Sequence, residues 1–371
     1  MVSEDAIVTQ VKPGEREVGR SRGTNIALSP SRICRPPALP LSRYNAGMII
    51  AIPDDYHGVV HQLDCLARLS GHEVRIFRDV APASDRLIAN LRDAEIVVPV
   101  RERTRFTRQI IERLPRVKVF SQTGRSTHHI DVAACTGRGI VVTCGTNASP
   151  YTVAEHTWAL ILSSLRRLPE ETAMMRRGEF RQSFSGTLHG RTLGIFGLGK
   201  IGKLVAATGA SFGMRVLVFG RDASISAARA SGYGVAAGKA ELFEQSDVLV
   251  LMVRLTSATR GAVTAEDLAR MKPTALFVNT ARAELVAPGA MVAALKSGRP
   301  GRAAVDVYEN EPVLLGDHPL LGLDNALCTP HTAWLEQDTY EMYFGEAFDN
   351  ILAFIGGKPV NIVNPEVLGR R

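Results

Sequence analysis

The chain has 371 residues, of which 45 % are apolar and 22 % are charged. That length and mixture are typical of a globular enzyme with two or three domains. The net charge is +7, but residues 1–47 alone hold seven Lys/Arg against four Asp/Glu. The remaining charge is spread thinly and forms no basic stripe with interleaved aromatics, which argues against nucleic acid as a partner.

Apolar runs, cysteines and histidines narrow the class of protein further. No apolar run is as long as a membrane span, so we expect no membrane partner. The five cysteines include no CxxC pair, and the nine histidines are scattered without metal-ligand spacing. These patterns predict a cytoplasmic protein with reduced thiols and without a metal site.

Residues 1–47 are rich in Pro, Ser, Arg and Gly and show no helical or strand period. They lack the apolar core and the small-residue cleavage site of a signal peptide. We expect a disordered extension or a translation start assigned too early, because Met48 opens an apolar run. A targeting segment is the alternative.

From Met48 onward, strand patterns alternate with helical spacing. Helical spacing covers His57–Ser70 and Phe106–Leu114, and a long helix is predicted over Val153–Leu168. Alternation of this kind indicates parallel βαβ units. The predicted strands of this first series are MIIAI, HEVRIF, EIVVPV, VKVFSQT and IVVTC.

A second α/β series begins at Arg191. We therefore predict an α/β protein with two doubly wound parallel-sheet domains, in which a Rossmann domain at 151–330 is inserted into a flavodoxin-like substrate domain. The substrate domain consists of 48–150 and 331–371. The predicted strands of the second series are TLGIFG, RVLVFG, DVLVLMV, ALFVNT, AAVDVY and ALCTP. Its predicted helices are Ile201–Phe212, Ser224–Ser231, Glu266–Met271 and Pro288–Ser297, and Leu335–Ile355 returns to the first domain.

A G-x-G-x-x-G motif follows the strand TLGIF and opens the next helix, which is the context of a dinucleotide site. Gly197 permits a tight turn, Gly199 lets the backbone approach a pyrophosphate, and Gly202 lets helix and strand pack closely. The helix N-terminus offers free N–H groups to the anion. The motif consists of Gly197, Leu198, Gly199, Lys200, Ile201 and Gly202.

The end of the second strand bears on the choice between NAD and NADP. NAD enzymes usually place a carboxylate there for the ribose 2′-hydroxyl, but this chain has Gly220 followed by Arg221. A guanidinium can pair with a 2′-phosphate, so the pattern favours NADP over NAD. Asp222 comes one residue later and could still reach a ribose, so NAD stays open.

Three polar side chains follow successive predicted strands of the Rossmann domain: Arg282, Glu311 and His331. Reducing a keto acid requires a carboxylate binder, a group that polarises the carbonyl and a proton donor. An arginine fork can bind and polarise, a histidine can donate the proton, and a carboxylate can hold the imidazolium. Each residue alone could be a surface charge, a loop carboxylate or a helix cap.

The segments NTARAELV, VDVYENEP and LCTPHTA, together with GLGKIG, resemble the signature segments of the D-isomer-specific 2-hydroxyacid dehydrogenase family. The resemblance covers about Met48–Leu368 and is strongest to phosphoglycerate-dehydrogenase-like and glyoxylate/hydroxypyruvate-reductase-like members. It implies that Arg282 binds the substrate carboxylate and carbonyl, that His331 is the acid/base and that Glu311 is its partner. The implied reaction interconverts a small anionic 2-keto acid and the D-2-hydroxy acid with NAD(P).

The resemblance also implies roles around the cofactor and in the first domain. Asp306 would face the nicotinamide carboxamide, and Thr280, Ala281 and the backbone near Val253–Leu255 would lie along the cofactor. The loop of Thr123, Gly124 and Arg125 would hold the substrate carboxylate through its backbone N–H groups. The helix beginning VAEHT corresponds to the segment that crosses between protomers, so a homodimer is expected.

The chain departs from the family pattern near the implied active site. Ala283 and Ala287 replace a common Gly and Asp, which alters how the Arg282 loop packs. Trp334 is either a wall of the substrate pocket or a packing residue at a helix start. Of the arginines in the substrate domain, Arg101 and Arg125 could read a second anionic group or could simply be exposed.

Two other functions stay open from the sequence. Formate dehydrogenases of this fold carry Gln where Glu311 stands, which speaks against that activity, whereas phosphite dehydrogenases keep the Glu. From a different class, a nucleotide-sensing corepressor built on this fold can keep all three residues. Turnover of keto acids would distinguish an enzyme from a sensor.

Overall fold

The computed structural model describes residues 6–10, 47–79, 85–180 and 184–370. These residues form two compact units: the first holds the described residues up to Ala148 and those from Gln337 onward, and the second is Ser149–Glu336. The sequence placed the return to the first domain at His331. The structure keeps His331–Glu336 in the second unit because the backbone amides after His331 are bound there by a buried carboxylate.

The first unit is built on a six-stranded sheet with the order β1-β3-β2-β4-β5-β6. Without β1, which is antiparallel, the remaining five strands are parallel and follow the flavodoxin-like order 2-1-3-4-5. The strands are β1 Ala6–Gln10, β2 Ile49–Ile52, β3 Glu73–Phe77, β4 Ile96–Val97, β5 Val119–Gln122 and β6 Val141–Cys144. The short helices between them are α1 Asp85–Leu91, α2 Arg108–Glu112 and α3 Val132–Gly137.

Strand β1 corrects the expectation that residues 1–47 contain no strand. Its backbone pairs with β3 along the edge of the sheet, from Ala6 opposite Phe77 to Gln10 opposite Glu73. The apolar stretch AIVTQ is short enough to be missed by a period test, and an unpaired edge strand offers it hydrogen-bonding partners. Of the predicted extension, residues 1–5 and 11–46 lie outside the described residues.

The segment between β2 and β3 is not the α-helix that the spacing of His57–Ser70 predicted. It forms two 3₁₀ segments, Val60–Gln62 and Asp64–Leu69, with i→i+3 bonds such as the one from the Leu66 amide to the Leu63 carbonyl. The Asp55 carboxylate accepts from the amides of Val59 and Val60 at 3.2 Å and holds the first turn. The spacing predicted the buried face of the segment, but its tighter 3₁₀ turns depend on hydrogen bonds such as those of Asp55, which lies outside the predicted helix.

The chain returns to the first unit through a long helix, α11 Gln337–Ile355, whose apolar face packs on β5 and β6. The tail after α11 then lies along β6. There Asn364 accepts from the Val142 amide at 2.9 Å and donates to the Thr136 hydroxyl and the Ile140 carbonyl, both at 2.9 Å. This buried amide is fully hydrogen-bonded and fixes the end of the chain to the sheet.

The second unit is built on a seven-stranded parallel sheet with the order β13-β12-β11-β10-β7-β8-β9, the Rossmann order 3-2-1-4-5-6 with one added strand. Its strands are β7 Thr192–Phe196, β8 Arg215–Phe219, β9 Gly234–Val235, β10 Val248–Leu251, β11 Leu276–Asn279, β12 Arg302–Val305 and β13 Ala326–Cys328. Its helices are α4 Tyr151–Arg166, α5 Leu168–Arg176, α6 Lys200–Ser211, α7 Asp222–Ala230, α8 Lys239–Gln245, α9 Ala265–Ala269 and α10 Ala290–Ser297.

The side chains of β10 show why this sheet is covered on both faces. Val248 and Val250 pack in one apolar cluster, whereas Leu249 and Leu251 pack in another on the opposite face. Successive strand residues point to opposite faces, so a continuous apolar run requires helices on both sides. The predicted architecture, a Rossmann domain inserted into a flavodoxin-like domain, is confirmed. In the part of the chain that the structure describes, no helix is long and apolar enough to cross a membrane.

Candidate active site

The predicted catalytic residues lie at one edge of the second sheet. Arg282, Glu311 and His331 follow β11, β12 and β13, which are hydrogen-bonded neighbours in the sheet. Because these strands are parallel, their carboxyl ends share an edge, where open α/β sheets bind ligands. The fold therefore brings these three chain segments to the same end of the unit.

His331 and Glu311 form a directly bonded pair. The Nδ1 atom of His331 lies 2.5 Å from Oε2 of Glu311, while Oε1 of Glu311 accepts from the Tyr308 amide at 2.9 Å. Both carboxylate oxygens are thus occupied, which sets the direction of the carboxylate. A carboxylate on Nδ1 makes that atom the N–H donor and leaves Nε2 as the atom that exchanges a proton.

His331 itself has a backbone φ of 54°, a left-handed conformation that non-glycine residues rarely adopt. Asp306, which is 0 % exposed, holds the loop around it. Its Oδ1 atom accepts from the Thr329 hydroxyl at 2.6 Å and from the Thr332 amide at 2.9 Å, and Oδ2 accepts from the Ala333 amide at 2.9 Å. A strained backbone conformation persists where several surrounding contacts hold it, and here Asp306 binds the two amides that follow His331.

The charge of Asp306 follows from the same contacts. Burial raises the pKa of the carboxyl, but hydrogen bonds from His156, from Thr329 and from the two backbone amides outweigh it, so the pKa lies below its usual value. The Nε2 atom of His156 is 3.4 Å from Oδ1 of Asp306 and 3.1 Å from the Thr329 hydroxyl. The resemblance assigned Asp306 to the nicotinamide carboxamide, and that contact stays a prediction beside this structural role.

The Arg282 loop is held by an asparagine that the sequence analysis did not single out. Buried Asn279 donates to the Arg282 carbonyl at 2.9 Å and accepts from the Ala281 amide at 3.0 Å. Ala283 begins a 3₁₀ turn, Ala283–Leu285, and is not among the residues with positive φ. An alanine in place of the common glycine therefore causes no backbone strain.

The first and third glycines of the G-x-G-x-x-G motif occupy positions that exclude side chains. A Cβ at Gly197 (φ 98°) would lie 2.7 Å from Cγ1 of Val253, and one at Gly202 would lie 2.6 Å from the Gly197 carbonyl oxygen. At Gly199, which caps α6, nothing lies within 4 Å of that position. The close packing of the first and third glycines and the open space at the second fit a cradle for a pyrophosphate.

The two other predicted cofactor residues lie after β11. Thr280 is 7 % exposed, and its hydroxyl is 2.8 Å from that of Thr157 in α4. Ala281 is half-buried and donates its amide to Asn279. Thr280 is thus engaged with α4, and the contacts of both residues with a cofactor stay predictions.

At the end of β8, a side chain in place of Gly220 would crowd Ser224. A Cβ there would lie 3.0 Å from Cβ and Oγ of Ser224, and the Ser224 hydroxyl accepts from the Leu198 amide of the glycine loop. Arg221 is exposed and precedes α7, and Asp222 is exposed as the first residue of that helix.

In the first unit, the predicted substrate loop follows β5. Thr123 is 1 % exposed, and both its amide and its hydroxyl donate to the Pro99 carbonyl, so Gly124 and Arg125 are left as the amide donors predicted for a carboxylate. The guanidinium of Arg101 lies over Gly124, since a Cβ there would be 2.5 Å from Nη1, and it stacks 4.9 Å from the Tyr343 ring centroid. Arg101 therefore packs against this loop, whereas Arg125 is exposed.

Comparison with known proteins places the chain in a family. Residues 158–333 match the family model described as D-isomer specific 2-hydroxyacid dehydrogenase, NAD binding domain. A glyoxylate reductase of Aeropyrum pernix is 34 % identical over 297 residues, which are 77 % of this chain and 88 % of that protein. The chain belongs to the D-isomer-specific 2-hydroxyacid dehydrogenase family.

Other relatives match different shares of this chain and of their own length. A D-3-phosphoglycerate dehydrogenase of Methanocaldococcus jannaschii is 39 % identical over 249 residues, but these are 67 % of this chain and 47 % of that protein. The chain thus spans about half the length of that relative. A crystal structure of an oxidoreductase from Ralstonia solanacearum superimposes with a TM-score of 0.84 at 49 % identity, covering 87 % of this chain and 98 % of that one.

Several residues that shape this candidate site were not identified from the sequence. Asn279 opens the segment NTARAELV but was given no role, and His156 and Thr157 both lie in the VAEHT segment, which was assigned only to dimer formation. Tyr308, in VDVYENEP, bonds to both Glu311 and the loop of His331. Trp334 is 7 % exposed, so both alternatives for this residue stay predictions.

Proposed function

We propose that the protein is an NAD(P)-dependent dehydrogenase that interconverts a small 2-keto acid and the corresponding D-2-hydroxy acid. The observation that carries this proposal is the His331–Glu311 pair, 2.5 Å apart at the carboxyl edge of a sheet that also bears the glycine cradle. A nicotinamide bound at that edge supplies the hydride that is added to C2 of the keto acid.

The proton is assigned to His331. Its Nε2 atom donates a proton to the substrate oxygen as the alkoxide forms, and the reverse reaction returns it. Glu311, bonded to Nδ1, stabilises the imidazolium and keeps the ring in one orientation. Asp306 keeps the backbone on the C-terminal side of His331 in place through the Thr332 and Ala333 amides.

The anionic substrate is assigned to Arg282. Its planar guanidinium can pair with a carboxylate and polarise the adjacent carbonyl, and Asn279 fixes the backbone that carries it. In the first unit, the amides of Gly124 and Arg125 are candidate donors to the same class of anion. The positive charge at Arg282 is the group that would select acids over neutral ketones.

For the cofactor, the glycine cradle and the N-terminus of α6 would bind the pyrophosphate, and the end of β8 would bind the ribose. We favour NADP, because a carboxylate at position 220 is crowded by Ser224 while Arg221 can pair with a 2′-phosphate. Asp222 lies on the exposed start of α7 and is the remaining residue that could bind an unphosphorylated ribose.

A substrate panel tests this function. We expect the purified protein to oxidise NADPH with glyoxylate, hydroxypyruvate or a larger 2-keto acid, measured as loss of nicotinamide absorbance. Tight cofactor binding without turnover of any keto acid would contradict the proposal and favour a nucleotide sensor. Reduction of NAD(P) by phosphite, without keto acid turnover, would assign the site to the phosphite reaction instead.

The same panel, run with both cofactors, decides the cofactor preference. We expect a lower KM for NADPH than for NADH, and we expect Arg221→Ala to raise the KM for NADPH by about tenfold, since a charge-assisted pair contributes about 1.5–3 kcal/mol. The KM for NADH should change little. A wild-type preference for NADH would refute the NADP assignment and leave the dehydrogenase assignment intact.

We further propose a homodimer, built on the segment that follows α4. Four large apolar side chains there are at least half exposed: Leu168, Met175, Phe180 and Phe184. Several exposed large apolar side chains on one stretch of chain favour a protein interface there. Sedimentation should therefore give the mass of two chains, and Met175→Glu should yield monomers, whereas Val360→Ser, a control at an exposed site in the first unit, should not. A monomeric wild type would contradict the proposal.

A further inference from the structure

Glu311 lies on a segment without regular secondary structure, Tyr308–Glu311, which follows β12. Such a segment has no helical or ladder hydrogen bonds to fix its direction, so other contacts must orient the carboxylate. Tyr308 supplies two of them: its amide donates to Glu311 at 2.9 Å, and its hydroxyl donates to the Thr329 carbonyl at 2.9 Å. Tyr308 thereby connects Glu311 to the loop that carries His331.

A second histidine braces this segment from the other side. The Nε2 atom of His318 lies 3.1 Å from Oε2 of Glu309, and the His318 ring meets the Tyr308 ring edge-on, with centroids 4.9 Å apart. Its Nδ1 atom accepts from the Leu320 amide at 3.3 Å. Because Nδ1 accepts, the neutral ring carries its proton on Nε2 and donates it to Glu309.

His318 therefore contacts two consecutive residues of the segment and is itself held by the backbone of the next 3₁₀ turn, Pro319–Gly322. Its side chain is 16 % exposed, so the ring is fixed by packing as well as by hydrogen bonds. No residue of this group touches the proton that His331 exchanges. The role that the contacts allow is to set the position of Tyr308, and with it the direction of Glu311.

We propose that His318 is a positioning residue for the dehydrogenase reaction, holding the Tyr308–Glu311 segment so that Glu311 stays directed at His331. This inference rests on the proposed function for its kinetic consequences. The competing explanation is that His318 only caps the turn Pro319–Gly322 through Nδ1. The two explanations assign importance to different nitrogen atoms of the same ring.

Two conservative variants distinguish the roles of the two ring nitrogens of His318. In His318→Gln the amide nitrogen can take the place of Nε2 and donate to Glu309, whereas in His318→Asn the amide oxygen can take the place of Nδ1 and accept from Leu320. If His318 positions Glu311, kcat falls about tenfold in His318→Ala and His318→Asn, and His318→Gln restores most of it. Rescue by Asn and not by Gln would overturn the proposal.

Coupling to Glu311 is the second test. In a Glu311→Gln background, adding His318→Ala should lower kcat by less than about twofold, because residues that act through one group are not additive. A full tenfold loss in that background would overturn the proposal. His189→Ala is the matched control and should leave kcat unchanged. That exposed histidine precedes β7, so it lies where the parallel strands begin and not at the carboxyl ends that carry Glu311 and His331.

A measurement without turnover keeps this inference separate from the proposed function. The Tyr308 amide that donates to Glu311 should exchange its hydrogen at least about tenfold faster in His318→Ala than in wild type and at the wild-type rate in His318→Gln. Equal exchange rates in all three proteins would refute the positioning role. If the wild type turns over no keto acid, the proposed function fails, while amide exchange still decides the role of His318.

Discussion

Replacing His331 by alanine should lower kcat for keto acid reduction by about 10²–10⁴-fold, the range that general acid catalysis contributes. The alkoxide that forms at the substrate would then have to take its proton from water. The affinity for the cofactor should stay near that of wild type, because the glycine cradle lies after β7 and His331 lies after β13. Rapid-mixing kinetics for turnover and a fluorescence titration for the cofactor measure the two effects separately.

The backbone of His331 determines which variant is the better control. With φ at 54°, alanine at this position is strained, whereas asparagine tolerates the left-handed region. His331→Asn should therefore keep the wild-type melting temperature and still lose turnover. Near-normal turnover in His331→Asn would refute the assignment of the proton donor.

Asp306→Asn should lower the free energy of unfolding by about 3 kcal/mol and reduce turnover with it. The carboxylate accepts three short hydrogen bonds from the Thr329 hydroxyl and the Thr332 and Ala333 amides. An amide keeps one acceptor oxygen and turns an NH₂ group toward a donor, and each buried group left unpaired costs about 1–3 kcal/mol. Urea unfolding measures the loss.

The exposed carboxylate of Asp324, which precedes β13, provides the matched control for this substitution. Asp324→Asn should change the free energy of unfolding by less than about 0.5 kcal/mol, the usual range for surface substitutions. If Asp306→Asn is as stable as Asp324→Asn, the loop of His331 does not depend on this carboxylate.

The lowered pKa of Asp306 also predicts a dependence on pH. A carboxyl whose pKa is lower in the folded protein stabilises the fold fully above its unfolded value, near 3.8, and loses that contribution as the pH falls through the folded pKa. Wild-type stability should therefore fall in strongly acidic solution, and this part of the fall should be absent in Asp306→Asn. An identical acid dependence in both proteins would contradict the assigned charge.

The three signature segments could be predicted as a site because each of them follows a recognisable apolar strand in the sequence. Each predicted catalytic residue comes within six residues after an apolar strand, and parallel strands end at one edge whatever packs around them. The same reasoning could not find Asn279, because its buried amide serves only the backbone of Ala281 and Arg282. A hydrogen bond of that kind has no period, no charge and no spacing by which a sequence could reveal it.

Two helices that were predicted wrongly or too long also depend on contacts that the sequence does not reveal. The segment His57–Ser70 has helical spacing in its apolar residues, yet Asp55 and Glu341 bind its amides and it forms 3₁₀ turns. Glu341 is distant in the chain, in α11, so the competition between α and 3₁₀ geometry is decided by tertiary contacts. The expected helix over Val153–Leu168 likewise stops at Arg166, because Arg167 takes the left-handed conformation that ends it.

The sequence by itself determined the class of fold, the cradle glycines and the candidate triad of Arg282, Glu311 and His331. These follow from strand periodicity and from residue types whose chemistry is local. Only the tertiary structure decided that Glu311 points at His331, that buried Asp306 holds the loop of His331, and that Tyr308 and His318 brace the segment of Glu311. The physical reason is that the direction of a side chain depends on hydrogen bonds and packing with partners that the fold alone brings together.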